Sequence, residues 1–428
     1  MQFGRRLQLA LCCLTLVIGV APIYAAAEPV QLELPGGQQL EVTRFGSDGG
    51  LSFLWIPSER GFTPAHQQHA SALAARGHQV WLVNLHGSYF VQPGRASIGQ
   101  FPLDDLVALI DAVLARSSGE LLLVSSSRGA QLALVAAREW QLRNPGKSSI
   151  SGIVLTHAHL YGARPEPGKA AQYLPIVHAT NLPVYLLAAQ YSTKSSRLQE
   201  LADALHAGGS TVYTQLLAGV QGGFVTREAE EGSAADAAAN QDYANTLSRA
   251  ASLLRQVRTP RLAVVSDQDT RRVGRSSHSE PVLAPLDPVL PAPVLVLGDL
   301  DGGSFNLDDY RGQVVLVNFW ASWCRPCVAE IPSLHRLDAS LEGEDFRIVT
   351  VNVGEEAARV ERFLQQVQVE LPVLMDYDAS ISKGWMIYVY PSSYLVDRQG
   401  NVRYAYLGAL EWDSTENLKI IRQLLSQR

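Results

Sequence analysis

Hydrophobic and polar positions over 28–258 fall into two alternating kinds of run. Short, near-continuous apolar runs at 51–56, 79–85, 121–126, 150–156, 184–189 and 212–217 predict strands. Between them, apolar residues recur at helical spacing over 65–76, 103–116, 130–143 and 198–207. Strands that are apolar on both faces and separated by helices predict a mostly parallel sheet covered on both sides.

The pattern lapses over 259–292. Pro260, Pro281, Pro285, Pro288 and Pro291 are spread among Arg271, Arg272, Arg275 and several serines, with no sustained apolar period. This predicts an extended, solvated linker; docking of its positive charge on an acidic partner is the alternative. Over 293–428 the pattern resumes. It predicts strands at 314–319 and 346–353, helices at 327–341 and 355–366, and strands at 392–396 and 402–407 around the turn Gln399-Gly400-Asn401. A closing amphipathic helix is predicted at 415–425. The second unit is thus a β-α-β unit followed by a hairpin and a helix.

The 428 residues, at roughly 150 per domain, agree with two or three domains. With 47% hydrophobic and 18% charged residues the chain is globular in composition, and its net charge of -6 argues against a general nucleic-acid binder. Four cysteines are too few for a disulfide-stapled scaffold.

Residues 1–27 read as an export signal. Arg5 and Arg6 precede an apolar run over 7–20, and Ala25-Ala26-Ala27 offers a small-residue cleavage site. The rival reading is a retained anchor, since 7–27 is long enough to span a bilayer. Leu11 before Cys12 is not the small residue a lipidated cysteine needs. Cleavage removes Cys12 and Cys13 and leaves a mature chain of 28–428 with only Cys324 and Cys327. An exported protein with one C-x-x-C pair uses its cysteines for chemistry.

That pair lies in Trp323-Cys324-Arg325-Pro326-Cys327, where a buried strand turns into a helix. Two intervening residues let the sulfurs meet at the helix start. There, unpaired backbone N–H groups and the helix dipole favour a thiolate on Cys324, with Arg325 adding positive charge. Cys327, one turn in, is placed to resolve a mixed disulfide. A zinc half-site would need two more ligands at matching spacing, and none is near; no metal is implied.

The run VVLVNFWASWCRPCVAEIPSL at 314–334 resembles the exported, thioredoxin-like thiol–disulfide oxidoreductases of the TlpA/ResA type. The resemblance covers about the last 135 residues. It implies a thioredoxin-like fold and a cis-proline facing the cysteines, matched by Pro391. Lacking an N–H, such a proline leaves a backbone edge for an incoming peptide. Tyr390 matches the position that tunes substrate contact, beside Trp323, Arg325 and Pro326. Where cytosolic thioredoxins carry a buried Asp, this chain has Asn318, which cannot act as a base. Glu330 matches the Glu that exported members carry three residues after the second cysteine. The i, i+3 spacing puts it on the helix face of Cys327, either as proton acceptor for that sulfur or as an exposed first-turn acid.

In the first domain, Leu121-Leu122-Leu123-Val124-Ser125-Ser126-Ser127-Arg128-Gly129 resembles the nucleophile elbow of α/β-hydrolases, with Ser125 in place of the first glycine. Gly61-Phe62 and Val83-Asn84-Leu85-His86-Gly87 extend the resemblance. A serine nucleophile needs a base and an orienting acid. At the acid's expected place the chain reads Ala189-Gln190-Tyr191-Ser192, and Gln221 stands where the histidine would fall. His86, His157 and His159 are the histidines left to substitute in space. The expectation is a degenerate hydrolase with a vestigial Ser127, used for binding or positioning.

Together these readings give two α/β domains, 28–258 and 293–428, joined by the linker. The expected function is reduction of disulfides in exported proteins, fed by a membrane thiol donor by family analogy, with no cofactor beyond the dithiol itself. The rivals are a Ser127 esterase or peptidase carrying a redox domain, and a non-catalytic module that delivers a ligand to a partner.

Overall fold

The computed structural model describes residues 27–427 except 118, 164, 228–231, 261, 272, 274–282 and 368–370. The export signal read over 1–27, with Cys12 and Cys13, lies outside the described residues save for Ala27. None of the described helices is long and apolar enough to cross a membrane.

The first sheet has eight strands: β1 (Ala27–Glu33), β2 (Gln39–Phe45), β3 (Ser52–Trp55), β4 (Gln79–Val83), β5 (Leu121–Ser126), β6 (Ile150–Thr156), β7 (Val184–Tyr191) and β8 (Val212–Gln221). Their order is β1-β2-β4-β3-β5-β6-β7-β8. The six runs read from the sequence are the parallel strands β3 to β8. The antiparallel pair β1 and β2 adds to them, and β2 joins β4 antiparallel. Successive β5 side chains serve opposite cores. Leu121 and Leu123 pack under the helices Leu103–Leu114, Gly129–Arg143 and Leu198–Ala207. Leu122 and Val124 pack on the other side, with Leu73 of Pro64–Ala74 and Tyr243 of Ala234–Leu254. Both faces are covered, which is why these strands read as unbroken apolar runs.

The second sheet contains β9 (Ala284–Pro291), β12 (Val314–Trp320), β13 (Phe346–Val353), β14 (Val373–Asp376), β15 (Ser392–Val396) and β16 (Asn401–Leu407), in the order β14-β13-β12-β15-β16-β9. A small ladder of β10 (Val296–Gly298) and β11 (Ser304–Asn306) stands apart. Strands β12, β13 and β14 are parallel, and β15, β16 and β9 are antiparallel to their neighbours. The result is a mixed α/β, thioredoxin-like unit.

The linker expectation needs correcting at two places. Residues 284–291 are not a spacer but the edge strand β9, paired with β16. An edge position tolerates Pro285, Pro288 and Pro291 because one side of the strand needs no ladder N–H. Of the linker's three arginines named above, Arg271 is among the described residues, and it has a partner within the chain. Arg271 pairs at 2.6 Å with Glu139, a buried carboxylate on the Gly129–Arg143 helix, and the Leu262 carbonyl accepts from Asn181. A buried carboxylate must be paired, and the linker adds a second cation to Arg143 of the same helix, which lies 3.0 Å from Glu139.

Candidate active site

Strand β12 buries all seven of its residues and delivers the chain to the cysteine motif. Cys324 is the N-cap of the helix Arg325–Ser340, with Pro326 in its first turn. The Cys327 N–H points at Cys324 Sγ at 3.3 Å. The two sulfurs form a disulfide. Cys324 is 6% exposed and Cys327 1%, so the first cysteine is the one a substrate can reach.

The β12–β15 register pairs Phe319 with Ser392, which puts Tyr390 and Pro391 at the motif end of the sheet. The Tyr390–Pro391 bond is cis. Tyr390 stands edge-on to Trp323 with ring centroids 5.7 Å apart, and burial raises its phenol pKa. Arg325 and Pro326 are exposed beside them.

Glu330 is not the exposed first-turn acid of the alternative reading; it is 2% exposed. Its Oε1 accepts from the Leu410 N–H at 3.2 Å and from the Trp412 indole N–H, and Asn318 Nδ2 donates to its Oε2 at 3.4 Å. Asn318 donates also to Ser393 Oγ at 2.8 Å. Burial raises the Glu330 pKa to about 7, against the lowering effect of the Trp412, Leu410 and Asn318 hydrogen bonds. A carboxyl group that titrates near neutrality one helical turn beyond a cysteine can exchange a proton there.

Glu355 is a site residue the sequence did not reveal. It lies just past β13 and accepts from the Ser322 N–H and hydroxyl, both at 2.6 Å, from Asn352 at 2.8 Å and from Arg359 at 2.7 Å. It thereby fixes the loop that enters the motif. Its only sequence signal is its place at the carboxyl end of a parallel strand, where α/β sites collect.

The first domain carries the elbow geometry. Ser127 follows β5 at φ 50°, a left-handed conformation rare for a residue other than glycine, and the helix starts two residues later. Gly129 is required, because a Cβ there would lie 2.2 Å from the Pro57 carbonyl oxygen. The partners are not those of a triad. Ser127 Oγ donates to Glu59 Oε1 at 3.0 Å, and the Arg128 N–H donates to Glu59 Oε2 at 3.1 Å. The N–H after the nucleophile is half of an oxyanion hole in working elbows, so a carboxylate of the chain itself fills that place. Gln221 is held by Arg227 and Gln190 by the Gly219 N–H.

The three histidines are engaged elsewhere. His157 Nε2 accepts from the Ala189 N–H at 2.9 Å, His159 Nδ1 lies 3.2 Å from Lys194 Nζ, and His86 Nε2 meets Ser97 Oγ at 3.0 Å. Burial, then Lys194, lowers the His157 pKa to about 4. Among the described residues no cluster of His, Cys, Asp or Glu fits a metal ion.

A helix capped by the first cysteine of a C-x-x-C disulfide, fed by a buried strand and flanked by a cis-proline, defines a thioredoxin-like thiol–disulfide site. Residues 289–405 match the AhpC/TSA family. The chain is 33% identical over 132 residues to the thiol-disulfide oxidoreductase ResA of Geobacillus thermodenitrificans, covering 31% of this chain and 76% of that one. It is 32% identical to Bacillus subtilis ResA, covering 28% and 66%. The solved structure of StoA from Bacillus subtilis aligns at 25% identity over 32% of this chain and 99% of that one, with a TM-score of 0.28. The chain belongs to the ResA-type thiol–disulfide oxidoreductases, and it is an enzyme of that class.

Proposed function

We propose that the protein reduces disulfides of exported proteins outside the cytoplasm. Cys324 Sγ attacks a substrate sulfur as the substrate S–S bond breaks, giving a mixed disulfide and one free substrate thiol. Cys327 Sγ then attacks Cys324 Sγ, releases the second substrate thiol and leaves the Cys324–Cys327 disulfide. Two electrons and two protons pass to the substrate, and no cofactor beyond the dithiol is called for. Glu330 takes the Cys327 proton in the second step, and Pro391 with Tyr390 docks the peptide backbone.

The observation that carries this reading is the contrast between the two cysteines: a reachable Cys324 at the helix N-terminus and a buried Cys327 one turn on. The N-terminal segment 1–27, read as an export signal, supports the location. A membrane thiol donor would recharge the pair. The first domain we read as hydrolase-like and non-hydrolytic, because Glu59 takes both the Ser127 hydroxyl and the Arg128 N–H.

The test is a trap. Cys327→Ser should accumulate Cys324-linked mixed disulfides with exported proteins, and Cys324→Ser should not. Equal trapping by both variants would sink the assignment of roles. The redox state of the pair in cells, read by acid quench and alkylation, tests the direction. A mainly reduced pair supports a reductant, and a mainly oxidised pair overturns it.

A further inference from the structure

The sulfur that starts the chemistry does not face open solvent. Cys324 and Trp323 form part of the wall of a cavity of about 490 Å³ whose other wall is the first domain. That wall is built from the carboxyl ends of the parallel strands: Trp55 of β3, Ser126 of β5, Thr156 of β6, Tyr191 of β7 and Gln221 of β8. Ligands of open α/β sheets bind at these ends. Ser127 and Cys324, 197 positions apart by their numbers, therefore line one cleft.

Specific contacts hold the walls together. Arg197, 8% exposed, lays its guanidinium 3.9 Å from the Tyr388 ring centroid, and its Nε donates to the Ile387 carbonyl at 3.4 Å. Arg359 lies over Tyr191 at 4.2 Å, and Tyr161 meets Tyr388 edge-on at 5.4 Å. A cleft of this size surrounds a few residues or a small ligand, not a folded face.

Among the described residues the charge inside is one-sided. Arg60, Lys194 and Arg325 line the cleft, and none has a carboxylate within ion-pair distance among the described residues. The carboxylate among the described lining residues, Glu59, is committed to Ser127 and Arg128. A cationic cleft in a chain of net charge -6 selects for negative charge.

Resting on the proposed reductase function, we infer that the two domains form one substrate site, and that the disulfide enters it in an extended, acidic chain segment. The acidic side chains lie against Lys194 and Arg60 of the first domain while the sulfur faces Cys324. The vestigial elbow is thus retained as a docking wall. The redox step is the exchange already written, with the same balance of electrons and protons.

The test uses the reduced full-length protein and three peptides alike except for flanks. Each carries one cysteine as a mixed disulfide with the same neutral reporter thiol, between Glu, Gln or Lys residues. The Glu peptide should react about tenfold faster than the Gln peptide, and the Lys peptide slowest. The spread should shrink in about 0.5 M salt. Lys194→Gln and Arg60→Gln should each bring the Glu-to-Gln ratio towards one; Arg60 is exposed, so its variant tests the point even if Lys194→Gln fails to fold. Equal rates for the three peptides, or a ratio untouched by both variants, overturn the acidic-segment inference. So does a small free disulfide with four carboxylates, glutathione disulfide, that reacts faster than the Glu peptide. Failure to reduce any peptide would instead remove the reductase reading beneath it.

Discussion

The carboxylate of Glu330 accepts the indole N–H of Trp412, a side chain with no exposed surface. It ties the redox helix to the chain leading into Thr415–Leu425, and it places an ionisable group where charge is disfavoured. Burial raises its pKa from 4.5 to about 7, so between those values the folded state holds a proton that the unfolded state has lost. Stability should therefore fall as pH rises through that window and level off above it, by about 3 kcal/mol in all. Glu330→Gln removes the window. Urea unfolding of the oxidised protein and this variant from pH 4 to 8 should give curves that diverge by this amount. Parallel curves would show that Glu330 does not titrate in this range. At neutral pH the variant should also resolve mixed disulfides more slowly, by about 10²-fold, as expected for loss of a general base.

The elbow makes the opposite kind of prediction, an absence of chemistry. Glu59 occupies the nucleophile's hydroxyl and one of the two oxyanion donors that acyl transfer would need, and among the described residues no histidine side chain bonds to the Ser127 hydroxyl. The protein should not hydrolyse short acyl esters, and Glu59→Ala should not restore hydrolysis, since no base is left to activate the serine. Ester turnover by the parent that disappears in Ser127→Ala would refute the non-hydrolytic reading.

Arg197 is the clearest single joint between the sheets. A desolvated guanidinium over an aromatic face contributes about 2 kcal/mol. Arg197→Ala should loosen the seam without unfolding either core, because its partners Tyr388 and Ile387 belong to one loop. Hydrogen exchange of the backbone amides at 387–390 should quicken by roughly tenfold or more. Arg197→Lys should recover only part of the protection, since an ammonium does not stack as a planar guanidinium does. Unchanged exchange in both variants would mean the seam is held elsewhere.

The parts of this molecule that were legible in sequence are those with local signatures. The runs at 121–126 and 346–353 and the helices at 198–207 and 415–425 match the observed bounds. β9 was hidden because its three prolines argue against a strand everywhere except at a sheet edge. The helix Ala234–Leu254 was missed because alanines blur its apolar stripe, although it buries Tyr243, Leu247 and Leu254. The pair β1 and β2 did leave a signal, with Leu32, Leu34, Leu40 and Val42 alternating around Pro35-Gly36-Gly37. Cys324 and Cys327 could be read from spacing alone. Glu59, Lys194 and Glu355 could not, because sheet order rather than sequence distance brings them to the site.

Glu355 supplies the last prediction, and it joins the motif to the first domain. Its side chain is 0% exposed, and its charge is met by Ser322, Asn352 and Arg359. Arg359 in turn stacks over Tyr191 of β7, whose end faces the cysteines across the cleft. Glu355→Gln keeps the volume but removes the charge, leaving Arg359 without its anion and Ser322 with weaker acceptors. Because Arg359 keeps 24% of its side chain in solvent, losing this charge-assisted hydrogen bonding should lower stability by about 2 kcal/mol. Because Ser322 precedes Trp323 and Cys324, the oxidised variant should also be reduced by dithiothreitol with altered kinetics, while Arg359→Met, which leaves Glu355 its three uncharged donors, should perturb the motif less. If Glu355→Gln matched the parent in both stability and reduction rate, the loop before the cysteines would be held by β12 alone, and the contact with Tyr191 would carry nothing to the redox centre.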